Sequence, residues 1–357
     1  MPDIKVLIVD DSAVVRSVLS QNLNRVPGIS VVGTAIDPFS ARDKIVRLKP
    51  DVITLDIEMP RMDGLTFLEK LMEHYPMPVI VLSSLAPEGS ESYFRALDLG
   101  ALEVISKPDS AFGQSITRQI SLIAEKIKGA ARTNMEARRR VAAIARSKSG
   151  TKVRRSASKA MLETTDKIVA VGASTGGTQT FRAVISSLPA DCPPMVVVQH
   201  MPPIFTRSYA KGLNAASAMD VKEAQDGDGL RPGLILIAPG NYHMEVRRSG
   251  ARYHVVLNQK PPVNFVRPAV DLLFSSVADY AGKNSVGVIL TGMGSDGARG
   301  MMKMKKAGAE TFAQDEKTSI VYGMPKAAYE SGACSELVPL QNISDKILKS
   351  AQQRSYK

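Results

Sequence analysis

The sequence predicts two doubly wound α/β domains in tandem, and three observations carry that expectation. Short runs of Val, Ile and Leu alternate with helix-spaced apolar residues along most of the chain. Such runs suit strands buried on both faces of a parallel sheet. The rhythm breaks once, over about residues 127–165, and then resumes. At 357 residues the chain is also longer than one ordinary core needs. The expected organisation is a first domain over 1–126, a basic linker over 127–165 and a second domain over 166–350.

In the first domain Lys5–Val9, Val31–Ala35, Val52–Leu55, Val79–Leu82 and Glu103–Ser106 read as strands. Val15, Val18, Leu19 and Leu23 lie at helical spacing between the first two, and Leu65, Leu68 and Leu71 repeat that spacing later. Alternation of this kind predicts a parallel sheet covered by helices. In the second domain the strand candidates are Ile168–Val171, Met195–Gln199, Leu234–Ala238, Val286–Leu290 and Glu310–Ala313. Tyr242–Arg247 and Tyr253–Leu257 read as a hairpin, and Thr180–Ser187 and Val270–Ala281 as helices.

The linker holds most of the charge. Between Lys126 and Ile168 stand 13 Lys and Arg against Glu136, Glu163 and Asp166, out of a net +11 for the whole chain. Glu136–Arg146 has a helical pattern with little to bury, so an exposed tether is expected. With the charge confined there and no helix-turn-helix pattern, DNA is not an expected partner. No apolar run approaches the ~18 residues of a membrane span. Cys192 and Cys334 make neither a disulfide framework nor a metal cluster, and the N-terminus shows no signal segment. A cytoplasmic protein without membrane insertion is expected.

Asp10 and Asp11 follow the first strand and Asp56 follows the third, at the carboxyl edge where open parallel sheets bind ligands. Three converging carboxylates favour a hard divalent cation with oxygen ligands, and Mg²⁺ is the one expected. Ser83 and Lys107 close the fourth and fifth strands and offer a hydroxyl and a cation to an anion. This set suits an acyl phosphate on Asp56. It resembles the receiver domain of two-component response regulators, a flavodoxin-like fold, through Asp10-Asp11, Asp56-Ile57-Glu58-Met59-Pro60, Asp63-Gly64, Ser83 and Lys107-Pro108. The resemblance implies that a histidine kinase phosphorylates Asp56, and that Asp10, Asp11 and Asp56 hold Mg²⁺ with the Glu58 carbonyl. It also implies switch roles for Ser83 and Lys107. The position three before the lysine is Val104, where many receivers carry an aromatic switch residue.

In the second domain Gly172-Ala173-Ser174-Thr175-Gly176-Gly177 follows a strand with G-x-S-x-G spacing, which presents a serine at a sheet edge. A capping serine in a tight turn fits the segment about as well; a dinucleotide loop fits less, since G-x-G-x-x-G is absent. A nucleophile needs a base. His200 directly follows a strand and His243 sits in a turn, while His74 and His254 are placed for surface and structural roles. His200 is preferred by position. Asp296, in the glycine-rich Thr291–Gly297 segment after Val286–Leu290, is placed to orient it.

Gly172–Gly177, Gln199-His200-Met201-Pro202, Pro239–Met244 and Thr291–Gly297 together resemble the catalytic domain of chemotaxis protein-glutamate methylesterases, a Rossmann-like doubly wound domain. The resemblance implies Ser174 as nucleophile, His200 as base, Asp296 as orienting acid, and Thr175 and Met293 near the oxyanion. It implies hydrolysis of glutamyl methyl esters and deamidation of particular glutamines on methyl-accepting chemoreceptors, under control of receiver phosphorylation. No cofactor is expected for the ester chemistry itself. The alternatives are a serine hydrolase acting on a small-molecule ester and a receiver-linked nucleic-acid-binding regulator.

Overall fold

The computed structural model describes residues 2–60, 62–83, 90–107, 113–148 and 167–352. The described chain divides into two compact units, Met1–Met135 and Glu136–Lys357.

The first unit alternates strand and helix five times: β1 Ile4–Val9, α1 Ala13–Leu23, β2 Ile29–Ala35, α2 Pro38–Leu48, β3 Val52–Asp56, α3 Gly64–His74, β4 Val79–Ser83, α4 Ser90–Leu99, β5 Glu103–Ser106 and α5 Gly113–Ala130. Its strands pair in parallel in the order β2-β1-β3-β4-β5, the flavodoxin-like arrangement. The interior of β1 and β3 is wholly buried, as the continuous apolar runs require. Short polar side chains start the helices. Ser12, Asp37 and Asp63 accept from the backbone N–H groups of Val15, Ser40 and Thr66, satisfying donors the helix itself leaves open.

In the basic stretch the helical pattern at Glu136–Arg146 is a helix, and it buries more than its sequence suggests. Helix α5 runs past residue 126 to Ala130, and α6 spans Met135–Lys148. Ala137, Arg138 and Val141 on α6 are buried. The four-residue spacing of Ala137 and Val141 supplies a small apolar stripe that the surrounding arginines obscure in the sequence. Arg154 and Arg155 lie outside the described residues.

The second unit contains β6 Ile168–Ala173, α7 Gly177–Ile185, β7 Met195–Gln199, α8 Pro203–Ala216, β8 Asp220–Glu223, β9 Leu234–Ile237, β10 His243–Ser249, β11 Arg252–Asn258, α9 Val270–Tyr280, β12 Ser285–Ile289, α10 Ala298–Lys306, β13 Glu310–Gln314, α11 Met324–Glu330, β14 Glu336–Val338 and α12 Leu340–Gln352. Seven strands form one parallel sheet in the order β14-β13-β12-β6-β7-β9-β8, and β10 and β11 form the separate antiparallel hairpin. Strand order reverses at β6, which lies between β12 and β7. That switch point opens a crevice at the carboxyl edge. The core beneath it joins Val270, Phe274 and Val277 of α9 to Met301 and Met304 of α10 and to Met244 and Val246 of β10. Among the described residues no helix is long and apolar enough to cross a membrane.

Candidate functional site

In the first unit the strand ends deliver the expected carboxylates together. Ligand oxygens of Asp10, Asp11 and Asp56 all lie within 4.8 Å of one another, with Asp10 and Asp56 buried and Asp11 exposed. The Lys107 ammonium sits 3.0 Å from Asp10 Oδ2 and 2.6 Å from Asp56 Oδ2. Apart from that ammonium these two buried oxygens have no partner among the described residues. Burial pushes the Asp56 carboxyl up to about 6; Lys107 pulls it back through its hydrogen bond and charge, and Asp10 adds to the rise by repulsion. Burial acts to depress the Lys107 ammonium, but Asp56 and Asp10 outweigh it and hold the group above its ordinary value. Buried oxygens that share one cation fit a divalent ion with oxygen ligands. Ser83 ends β4 beside them, its carbonyl accepting the Lys107 backbone N–H at 3.0 Å. Pro108 lies outside the described residues.

In the second unit Ser174 leaves β6 and His200 leaves β7, and the two strands pair up to Ala173 opposite Gln199. Two links extend that register. The His200 N–H donates to the Ala173 carbonyl at 3.1 Å, and the Gln199 side-chain amide donates to the carbonyls of Ser174 at 2.9 Å and His200 at 3.1 Å. From the other side of β6, the Ser174 N–H donates to the Thr291 carbonyl at 3.1 Å. Side chains at positions 176 and 292 are excluded by different constraints. Gly176 holds φ at +76°, and a Cβ at Gly292 falls 2.8 Å from Ser174 Cβ. Ser174 and Thr175 are buried, Met293 is half-buried, and the Thr175 carbonyl accepts the Thr291 hydroxyl at 3.1 Å.

His200 meets Asp296 through Nε2, at 2.9 Å from Oδ2. Asp296 also accepts the backbone N–H groups of Val270 at 2.7 Å and Asp271 at 3.1 Å, the first two residues of α9. Burial acts to raise this carboxyl, but His200 and the two amides outweigh it and hold the group below its ordinary range. A partly exposed imidazole thus abuts a buried carboxylate fixed by a helix N-terminus.

His243, the other candidate base, occupies a different position from the turn expected for it. It starts β10 and is fully buried. Its Nδ1 accepts the Ala269 N–H at 3.2 Å and its Nε2 donates to the Pro261 carbonyl at 3.2 Å. Burial holds the imidazole below its ordinary value. Both nitrogens are engaged by backbone, so His243 supports the start of α9. His254 lies in β11 as read from the sequence. Gln199, Thr291 and Asp271 went unassigned in the sequence reading. Gln199 and Thr291 stood inside motifs already singled out, whereas nothing local marks Asp271.

Residues 169–347 match the CheB methylesterase family, and residues 6–113 match the response regulator receiver domain. The chain belongs to the CheB methylesterase family. A relative from Bdellovibrio bacteriovorus, described as protein-glutamate methylesterase/protein-glutamine glutaminase, is 51% identical, covering 99% of this chain and 98% of that one. Another from Syntrophus aciditrophicus, with the same description, is 52% identical over 98% of this chain and 99% of its own. Among solved structures, the catalytic domain of Thermotoga maritima CheB methylesterase is 41% identical, with a TM-score of 0.50, covering 51% of this chain and 97% of that one. Membership in the CheB methylesterase family agrees with the α/β architecture of both units and with a receiver placed before the catalytic domain.

Proposed function

We propose that this member of the family is a cytoplasmic, phosphorylation-controlled serine esterase. On this reading it hydrolyses glutamyl methyl esters, and deamidates particular glutamines, on methyl-accepting chemoreceptors. The observation that carries it is the His200–Asp296 pair beside Ser174 at the switch point of the sheet.

Ser174 Oγ attacks the side-chain carbonyl carbon of the substrate while its proton passes to His200. Asp296 occupies Nε2, so Nδ1 is the basic atom; the imidazole edges are reversed relative to the Ser-His-Asp arrangement of chymotrypsin. The ionised Asp296 keeps the proton on Nε2 and stabilises the imidazolium that forms. Negative charge on the carbonyl oxygen is taken up by backbone N–H groups. That of Met293 donates to no described residue and is the proposed donor, with Thr175 alongside. Collapse of the tetrahedral adduct breaks the C–O bond to methoxide, which leaves as methanol with the proton from His200. For a glutamine the C–N bond breaks and ammonia leaves. Water, deprotonated by His200, then cleaves the acyl-enzyme and frees glutamate with Ser174 restored. No cofactor takes part.

In the receiver, Asp56 is the proposed acceptor, its carboxylate oxygen attacking phosphorus of a phosphohistidine on the kinase as the P–N bond breaks and the kinase imidazole leaves with the electron pair. Asp10, Asp11 and Asp56 are the side chains that would hold Mg²⁺, with the Glu58 carbonyl. The bound ion would supply neutralisation of phosphoryl charge. Lys107 pairs with the same charge, and Ser83 offers its hydroxyl to a phosphoryl oxygen. The test is release of methanol from methylated chemoreceptor, with and without a phosphodonor and Mg²⁺. Release that rises with phosphodonor supports the reading, and a phosphorylated chain that releases none overturns it.

A further inference from the structure

We propose that Phe265, Tyr242 and Arg267 form the surface that receives the polypeptide flanking the target glutamate, and that the segment it fits is amphipathic and acidic. The proposal deepens the esterase reading and rests on it. Val263 and Val266 exchange both backbone hydrogen bonds, at 3.1 and 3.0 Å, closing a two-residue turn. Its central residues, Asn264 and Phe265, have φ of +51° and +64°. Hairpin turns with two positive φ angles favour Asn followed by Gly. Asn264 suits the first place, whereas a bulky side chain at the second is strained. Packing does not offset the strain, because Phe265 is 88% exposed. Neither the backbone nor the core accounts for an aromatic ring here, so its partner is external.

The turn stands at the reaction centre. The Asn264 side-chain amide lies 3.4 Å from Asp296 Oδ1. Its C-terminal side is clamped by Arg267, whose guanidinium donates to Asn241 Oδ1 at 2.6 and 3.2 Å and to the carbonyls of Gln259 at 2.8 Å and Lys260 at 3.0 Å. The Asn241 N–H returns a bond to the Arg267 carbonyl at 3.1 Å, tying in the adjacent Tyr242, itself 39% exposed. Every acceptor of Arg267 is neutral, and it pairs with no carboxylate among the described residues. A partly exposed, uncompensated cation linked to two exposed aromatic rings complements a segment carrying carboxylates and apolar side chains together. A substrate protein presenting several glutamates supplies the carboxylates.

The experiment compares full-length wild type with Phe265→Gly and Tyr242→Ser on two substrates, methylated chemoreceptor and the γ-methyl ester of Nα-acetylglutamate. The expected result is a fall of about tenfold in the receptor-to-small-ester ratio of kcat/KM for Phe265→Gly, with an equal or higher Tm because glycine relieves the turn. Tyr242→Ser should lower the same ratio. An unchanged ratio in both variants overturns this surface while leaving the esterase reading intact. Wild type that cleaves the small ester but not the receptor overturns the chemoreceptor as substrate, and this surface with it, while leaving a small-ester hydrolase.

Discussion

Asp296 and Asp271 cap each other's helices. Asp296 accepts the first two N–H groups of α9, and Asp271, the second residue of α9, accepts the Gly297 and Gly300 N–H groups that open α10, at 3.0 and 2.8 Å. Asn264 spans the pair, its amide nitrogen 3.4 Å from an oxygen of each. Each carboxylate satisfies donors that the partner helix leaves open, so the proposed orienting acid is anchored by two helices.

That anchoring gives a prediction for Asp296→Asn. The folded carboxyl lies below its ordinary value of 3.8, so its stabilising contribution is present above 3.8 and is lost as pH falls through the lower folded value. The stability difference between wild type and Asp296→Asn should therefore be flat at neutral pH and shrink only in acid below about 3.8. Turnover should drop by a factor on the order of 10³–10⁴, since an amide no longer favours the productive tautomer. Thermal unfolding across pH and methanol release measure the two effects. A stability difference that fades near pH 6 would contradict the assignment.

Ser174→Ala should abolish ester hydrolysis, by on the order of 10⁴-fold or more, with receiver phosphorylation unchanged. The substitution removes the attacking oxygen in one unit and leaves Asp56 in the other untouched. Methanol release and phosphoryl incorporation on the same preparation check it, and near-normal release would remove the nucleophile assignment.

The two central histidines should separate by what each loses. His200→Ala is expected to lose activity by on the order of 10⁴-fold with Tm little changed, because the ring is partly exposed and its role is chemical. His243→Ala leaves the Ala269 N–H and Pro261 carbonyl without partners in a buried place and should cost about 2–4 kcal/mol in stability. Its activity should fall less than that of His200→Ala. The reverse order of activity loss would reassign the base.

Asp56→Asn should block phosphoryl incorporation and leave basal esterase activity. Asp10 and Asp11 remain, but both leave β1 while Asp56 ends the neighbouring β3, where Lys107 lies 2.6 Å from its oxygen. Intact-protein and peptide mass spectrometry after incubation with acetyl phosphate reads the outcome. A phosphoryl group on another carboxylate would overturn the choice.

The buried strands and the edge residues that follow them were legible in the chain, because a strand covered on both faces must be a continuous apolar run and ligands collect at its carboxyl end. Met195–Gln199 and Glu103–Ser106 were read to the residue; Asp10, Asp56, Ser174 and His200 stand at such ends, and Asp296 in the loop that follows one. Strands β8 and β14 were not legible. They flank the seven-stranded sheet as its outermost members, where a strand covered on one side needs no apolar run, and Asp220–Glu223 carries two acids and a lysine. The helical pattern within Met135–Lys148 is legible, but its buried face is not, because arginines surround the buried Ala137 and Val141. Only the fold decided that β12 lies against β6, which carries Asp296 from 122 positions away to the edge that presents Ser174. It also decided that Asp296 takes the Nε2 edge of His200 and that backbone occupies both nitrogens of His243. Periodicity along a chain reports how much of each segment is buried, whereas the partner of a given polar atom is set by strand order and by contacts between residues far apart in sequence.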